Sequence, residues 1–215
     1  MRFRILAAAL LLGLTSLPSH AVVIGSGGVN PYAFSWSFNT GTSLLTGNGS
    51  LTVSGFNSSS LTVNVSLTNT SLLGGQGGER LTAFGFGIDP NATSVGFVDA
   101  SDGGMVNAVL GQNFPSYQGV EICAIGGATC AGGGNGGIFG GASDSFSIVL
   151  GGTWGNSVNI DPIAIKYQTG YGSFEFSPCA GEGCRPPPPR VPEPATLGLL
   201  GLGLAGIGFA RRRRA

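Results

Sequence analysis

The chain contains few charged residues and a single histidine. Charged residues make up 9% of its 215 positions, far below the roughly 25% of ordinary soluble domains. A disordered polyelectrolyte needs high net charge, and helices need residues such as Glu, Lys and Arg, so this composition argues against both classes. The only histidine, His20, lies near the N-terminus. The rest of the chain therefore has no histidine for a Ser-His-Asp or Cys-His catalytic group, or for a histidine-ligated metal site.

Basic residues are also scarce in the middle of the chain. Six of the ten lie at the two ends, at Arg2, Arg4 and residues 211–214. Between Val22 and Arg190, four basic and nine acidic residues give a net charge of −5. Because nucleic-acid binding through phosphates needs a basic face, we expect no nucleic-acid partner.

Residues 1–21 are typical of a secretory signal peptide. Arg2 and Arg4 precede an apolar stretch at residues 5–14, which is too short to span a bilayer. Ser19 and Ala21 place small residues at the −3 and −1 positions of a cleavage site after Ala21. The sequence therefore predicts that the chain from Val22 onward is exported.

The C-terminal residues 192–215 combine three features in a fixed order. Pro192, Glu193 and Pro194 come first, and the apolar run at residues 195–210 follows. This run predicts a single hydrophobic helix of about 24 Å, just short of the usual membrane span. The chain then ends in a basic cluster that would stop the helix on the cytoplasmic side of the bacterial inner membrane. The cluster consists of Arg211, Arg212, Arg213 and Arg214.

This arrangement resembles the sorting signal of the PEP-CTERM family of exported bacterial proteins. The resemblance implies that an exosortase, a membrane-bound protease of the transpeptidase type, recognises Pro192, Glu193 and Pro194 as substrate residues. It also implies a Gram-negative envelope, often with an exopolysaccharide or biofilm matrix. The protein would then be membrane-anchored through the helix, or displayed at the cell surface after processing. The alternative is a plain single-pass anchor that follows the proline-rich stretch at residues 186–189.

Between these two ends, the sequence predicts a mainly β ectodomain at residues 22–177, built as an antiparallel β-sandwich. Apolar and polar residues alternate with period two, and glycine and asparagine clusters separate the alternating segments. Residues 178–191 are expected to form a Cys/Pro-rich linker. Leu51 to Val53 are expected to begin one strand. Further strands are expected at residues 32–38, 61–68, 81–88, 95–98, 120–125, 145–150, 163–168 and 174–176.

Four cysteines, an even number in an exported chain, predict disulfides. They are Cys123, Cys130, Cys179 and Cys184. Three pairings are possible, and the local pairs Cys123–Cys130 and Cys179–Cys184 are favoured because glycines beside each pair allow the chain to turn back. A four-cysteine zinc site fits less well, since its usual ligand spacing is shorter.

We expect no enzyme activity, no cofactor and no metal site. Asp89 and Asp161 precede prolines, and Asp99 and Asp102 lie close to glycines, which is typical of turns. The alternative is that aspartates in loops bind calcium. The sequence contains no Asp-x-Asp-x-Asp-Gly pattern to support it. The glycine-rich residues 126–141 predict a long loop joining two strands, with a ligand-contacting loop as the alternative.

The function expected from these features is that of an exported, non-enzymatic structural or matrix component, with exopolysaccharide as an expected partner. The alternative is a carbohydrate-binding or adhesive module displayed by the same tail. In that case exposed aromatic residues such as Trp154, Tyr167 or Tyr171 would stack on sugars, although aromatic side chains more often pack in a core.

Overall fold

The computed structural model describes residues 22–25, 31–72, 78–100, 102–111 and 114–180, and these residues contain strands but no helix. The signal peptide, the C-terminal hydrophobic helix and the arginine cluster lie outside the described residues. Within the described ranges, no helix is long and apolar enough to cross a membrane. The strands are β1 (Val22–Gly25), β2 (Tyr32–Asn39), β3 (Leu44–Ser54), β4 (Ser60–Asn69), β5 (Arg80–Asp89), β6 (Ala92–Val98), β7 (Asn107–Leu110), β8 (Ile122–Ile125), β9 (Ile138–Phe139), β10 (Ser143–Gly152), β11 (Ser157–Thr169), β12 (Gly172–Phe176) and β13 (Cys179–Ala180).

These strands form two antiparallel sheets, which confirms the prediction of a mainly β antiparallel domain. The first sheet has seven strands: β1-β11-β5-β8-β7 in order, with β12 also paired to β11 and β9 also paired to β5. The second has six strands in the order β13-β2-β3-β4-β10-β6. Each strand pairing in both sheets is antiparallel.

The two sheets pack face to face across one apolar core. Strand β4 has the clearest pattern, because its four apolar residues Leu61, Val63, Val65 and Leu67 are buried while the alternating polar residues are half-buried. Rings from opposite sheets meet directly: Phe34 of β2 stacks on Phe84 of β5 with ring centroids 5.9 Å apart. Burial of such side chains contributes about 1.5–3 kcal/mol each, so this interface is the main source of stability.

Two large aromatic residues of β2 lie over glycines of β3. Phe34 is paired with Gly49 and Trp36 with Gly47 in the antiparallel register. A Cβ atom built on Gly49 would lie 2.6 Å from Cζ of Phe34, and one built on Gly47 would overlap the Trp36 ring. Only glycine leaves room for these rings at the inner face of the sheet.

One buried polar network joins the two sheets through the hydroxyl of Tyr167, which lies on β11. Trp36 Nε1 donates to this oxygen at 3.0 Å, and the hydroxyl donates to Asn69 Oδ1 at 2.9 Å. The Asn69 amide in turn donates to the carbonyls of Glu79 and Ile138, each at 2.9 Å. Burial raises the pKa of Tyr167 to about 12, so the hydroxyl stays protonated and able to donate.

Strand β5 is buried on both faces. Its larger residues Phe84 and Phe86 face the core between the sheets, whereas Ala83 and Gly85 face the other side. That outer side is covered by two segments, residues 114–120 and 126–137, which we call the cover loops. A second apolar cluster forms where the cover loops pack on the sheet. It consists of Ala83, Phe114, Val120, Cys123, Ile125, Cys130 and Ala164.

Some strand limits differ from those expected from the sequence. Leu51 to Val53 do not begin a strand but lie near the end of β3, whose first half carries Gly47 and Gly49 instead of an apolar alternation.

Strand β11 begins at Ser157, before Pro162, and its pairing with β5 shifts register between Ile160 and Ile163. A bulge accommodates proline in this strand because proline has no N–H to donate. Asp161 therefore lies in a strand and not in a turn.

The Gly49→Ala substitution should lower the free energy of unfolding by about 1–3 kcal/mol, because the added methyl group would force Phe34 out of its packed position. Chemical denaturation measures the difference. The control is Gly96→Ala on β6, where the nearest atoms of Val149 lie 3.8 Å from the added Cβ. This control should stay within about 0.5 kcal/mol of the wild type, and an equal loss in both variants would contradict the packing described.

Candidate functional site

The residues of the predicted sorting signal lie outside the described residues. These are Pro192, Glu193 and Pro194 together with Arg211, Arg212, Arg213 and Arg214, and the cleavage site after Ala21 also lies outside them.

Two of the three aromatic residues proposed for sugar stacking are buried, so that expectation is wrong for them. Trp154 is 2% exposed and Tyr167 is fully buried. The indole Nε1 of Trp154 donates to the Pro90 carbonyl at 2.8 Å, and Tyr167 belongs to the polar network between the sheets. Only Tyr171 of the three is exposed, at 58%. Both buried rings are held by packing and by a hydrogen bond at their polar end, which is how buried Tyr and Trp are usually satisfied.

Cys123 and Cys130 form a disulfide, with a Cα–Cα distance of 6.2 Å. Both residues are fully buried in the cluster under the cover loops. The side chain of Cys179 and the whole of Cys184 lie outside the described residues, so the second pair stays a prediction. The Cys123–Cys130 bond links the cover loop at residues 126–137 to strand β8, so its role is structural.

The glycine-rich cover loop folds back on itself and onto the sheet. Ala128 N donates to the Gly133 carbonyl at 3.0 Å, and Gly126 N donates to the Thr82 carbonyl of β5 at 2.9 Å. Short strand β9 then pairs with the start of β5. Residues 126–141 join β8 to β10, but they are not one uninterrupted loop as the sequence predicts, because they contain β9. They also cover the outer face of the seven-stranded sheet.

An ion pair is buried beneath the cover loops. Lys166 of β11 and Glu175 of β12 face each other in register, and Lys166 Nζ donates to Glu175 Oε1. Their side chains are only 4% and 6% exposed. Glu175 Oε2 also accepts from the Ser116 amide at 2.8 Å. Burial by itself raises the pKa of Glu175, but Lys166 and Ser116 together hold that pKa below its usual value.

The Glu175→Gln substitution should lower the free energy of unfolding by about 3 kcal/mol at pH 7, because it leaves Lys166 buried without a countercharge. The contribution of the ion pair to the free energy of unfolding is fully present at pH values above the unfolded-state pKa of glutamate, about 4.3. It is lost as the pH falls through the lower folded-state pKa. Denaturation curves at several pH values should therefore show the two proteins converging in acid.

The matched control for this pH series is Glu121→Gln. Burial raises the pKa of Glu121, so the charged form of this residue is disfavoured in the folded state. Its replacement should leave stability at pH 7 unchanged or slightly higher. A Glu175→Gln protein as stable as wild type at pH 7 would show that the ion pair does not stabilise the fold.

Three aspartates lie together at the point where the chain crosses between the sheets. Asp99 follows β6 of the six-stranded sheet, Asp102 lies in the connection to β7 of the seven-stranded sheet, and Asp144 is the second residue of β10. One carboxylate oxygen from each lies within 4.8 Å of the others. Asp144 is buried, Asp99 is half-buried and Asp102 is exposed. Oxygen ligands in such an arrangement could hold a hard divalent cation.

The buried carboxylate of Asp144 is only partly satisfied. Its Oδ2 accepts from the Met105 amide at 2.6 Å, whereas its Oδ1 is buried without a hydrogen-bond partner. Gly104, at a φ of +91°, brings the connection so close that any Cβ there would overlap this carboxylate. Burial, together with the neighbouring charges of Asp99 and Asp102, raises the pKa of Asp144.

A polar groove of about 520 Å³ begins beside Asp99 and crosses the outer face of the six-stranded sheet. Hydroxyl and amide groups line it and bond to one another: Ser145 Oγ donates to Ser66 Oγ at 3.1 Å, and Ser147 Oγ donates to Asn64 Oδ1 at 2.8 Å. Its remaining lining includes Ser50, Thr52, Val98 and Ala100. Such a surface offers many donors and acceptors but little charge.

Comparison with known families identifies the C-terminal segment. The family model described as the PEP-CTERM protein-sorting motif matches residues 190–214. The chain carries a PEP-CTERM sorting motif. The matched range includes the Pro-Glu-Pro triplet, the apolar run and the arginine cluster, so the resemblance seen in the sequence is confirmed. A PEP-CTERM signal marks an exported protein that is sorted by an exosortase.

No curated protein and no solved structure matches the chain. The PEP-CTERM motif accounts for the tail and leaves the aspartate cluster and the polar groove unexplained. Asp99 and Asp102 stand out in the sequence only as turn residues, and Asp144 carries no local signal. The three meet because β10 lies next to β6 in the sheet, a pairing that the sequence does not reveal.

Proposed function

We propose that this PEP-CTERM protein is a non-enzymatic structural component of the cell envelope or of its exopolysaccharide matrix. The observation that carries the proposal is the sorting motif at residues 190–214. In this proposal the helix predicted at residues 195–210 anchors the chain in the inner membrane until an exosortase acts near Pro192, Glu193 and Pro194. The body then remains at the cell surface or passes into the matrix.

The surface of the body supports this role. On the outer face of the six-stranded sheet, neighbouring strands are linked by hydroxyl groups, as between Thr68 and Ser143 at 2.9 Å and between Ser145 and Ser66 at 3.1 Å. A face of this kind is well hydrated and nearly neutral. It suits contact with polysaccharide chains, which carry hydroxyl groups of their own.

The placement of the buried carboxylates supports a non-enzymatic role. Glu175 is held by Lys166, and Asp144 is 3% exposed and accepts a bond from the Met105 amide. Neither is open to a substrate, as a general acid or base must be. The chain after Ala21 also has no histidine.

Cell fractionation tests the sorting and matrix role. Wild-type protein should appear in the surface and matrix fractions, whereas Glu193→Ala should stay in the membrane fraction because the exosortase no longer recognises it. Glu182→Ala removes the same charge outside the matched motif and should behave as wild type. The proposal fails if Glu193→Ala and wild type are distributed alike.

A second candidate function is polysaccharide binding in the polar groove. The groove beside Asp99 favours it, since its hydroxyl and amide groups could bond to sugar hydroxyls. The buried Trp154 and Tyr167 take no part. Binding would therefore depend on hydrogen bonds and not on aromatic stacking.

The Ser66→Arg substitution, which fills the groove, should abolish retention of the protein on the cell's own purified exopolysaccharide. Thr42→Arg adds the same side chain at an exposed turn residue and should not affect retention. Co-sedimentation of each protein with the polysaccharide measures the effect. If wild type does not co-sediment, or if Ser66→Arg binds as well as wild type, the groove is not a polysaccharide site.

A further inference from the structure

The aspartate cluster concentrates acidic groups that no basic side chain neutralises among the residues the structure describes. Carboxylate oxygens of Asp99, Asp102 and Asp144 lie within 4.8 Å of one another. The only basic residues from Val22 to Ala180 are Arg80 and Lys166. Arg80 lies over the Phe139 ring at 5.6 Å, and Lys166 is paired with Glu175. Both cations are therefore engaged elsewhere.

The state of Asp144 is the second observation that points to a ligand. This residue is 3% exposed, and its Oδ1 is buried without a partner among the described residues. A buried carboxylate oxygen without a hydrogen bond or a cation is costly. The same carboxylate belongs to the cluster, so an ion bound between the three aspartates would lie next to this unsatisfied group.

We propose that Asp99, Asp102 and Asp144 bind a calcium ion. Calcium takes six to eight oxygen ligands at about 2.3–2.6 Å, so ligands on opposite sides of the ion lie up to about 5 Å apart. The oxygens of the cluster already fall within that limit. Water completes the coordination shell, because Asp102 is exposed and Asp99 is half-buried.

Calcium fits this site better than magnesium. Magnesium demands near-ideal octahedral geometry at about 2.0–2.1 Å and gives up its water reluctantly, whereas calcium accepts irregular carboxylate sites. Asp99 and Asp102 come from the connection between β6 and β7 and Asp144 comes from strand β10, so the three form an irregular set. An exported protein also meets calcium at the concentrations that extracellular modules bind, about 10⁻⁴–10⁻³ M.

The position of the ion gives it a structural role. Asp99 and Asp102 belong to the connection between β6 and β7, which passes from one sheet to the other, and Asp144 belongs to β10. The ion would fasten this crossover to the six-stranded sheet. This inference does not depend on the proposed matrix role.

The test uses the full purified chain in detergent, after treatment with a chelator and dialysis. Calorimetric titration with calcium chloride should give one site with a Kd of about 10⁻⁴–10⁻³ M. The melting temperature should rise by about 3–10 °C at 10 mM calcium. The buried indoles of Trp36 and Trp154 provide the fluorescence signal for melting.

The Asp102→Asn variant should weaken calcium binding at least about tenfold, since ligand charge sets the affinity of such sites. Its side chain is exposed, so folding is preserved. Asp144→Asn should also weaken binding, and its amide oxygen can still accept from Met105. Without calcium, both variants should melt no lower than wild type because a like-charge repulsion is removed. Asp89→Asn, an exposed aspartate outside the cluster, should keep the wild-type response.

The proposal is overturned if 10 mM calcium does not change the melting temperature of the wild type. It is also overturned if Asp102→Asn responds as strongly as wild type does. A response to magnesium equal to or larger than that to calcium would contradict the choice of ion.

Discussion

The fold depends on close packing of aromatic rings against glycine at the interface between the two sheets. Phe34 and Trp36 lie over Gly49 and Gly47 of the neighbouring strand. This arrangement lets Phe34 reach Phe84 of the opposite sheet, and it places Trp36 Nε1 against the Tyr167 hydroxyl. The high glycine content, 40 of 215 residues, is thus in part a packing requirement of the core and not only a source of turns.

The seven-stranded sheet shows the same use of small residues on its outer face. Ala83 and Gly85 leave space for the cover loops, which bring Phe114 and the Cys123–Cys130 disulfide onto the sheet. The ion pair between Lys166 and Glu175 lies beneath this cover. Two of the few charged residues of the body are therefore used inside the protein. This placement, along with neutral hydroxyl groups on the outer face of the other sheet, leaves a surface low in charge.

Much of the fold could be predicted from the sequence where apolar and polar residues alternate. Leu61 to Leu67 of β4 are the clearest case, because side chains in a strand point alternately to the core and outward. Strands such as β7 and β9 were missed because they are too short to show a period. The first half of β3 was missed because glycines occupy its core-facing positions. For β3 the large core-facing residues, Phe34 and Trp36, lie in the partner strand β2, so the pattern cannot be read locally.

The candidate sites also include features that the sequence predicts and features that it does not. The sorting motif is contiguous, so the sequence alone identifies it. The burial of Trp154 could not be predicted, since the residue lies in the glycine-rich stretch Gly151-Gly152-Thr153-Trp154-Gly155, which has no periodic pattern. The meeting of Asp144 with Asp99 and Asp102 depends on the pairing of β10 with β6, a long-range contact that leaves no sequence signal.

The PEP-CTERM motif at residues 190–214 implies that the chain is exported and that its tail is a sorting signal. The intact mass of the protein recovered from the cell surface or matrix tests that claim most directly. We expect a chain that begins at Val22 and ends near Pro192–Pro194. Recovery of a surface protein that still carries residues 195–215 would contradict it and would show that the tail is a permanent anchor.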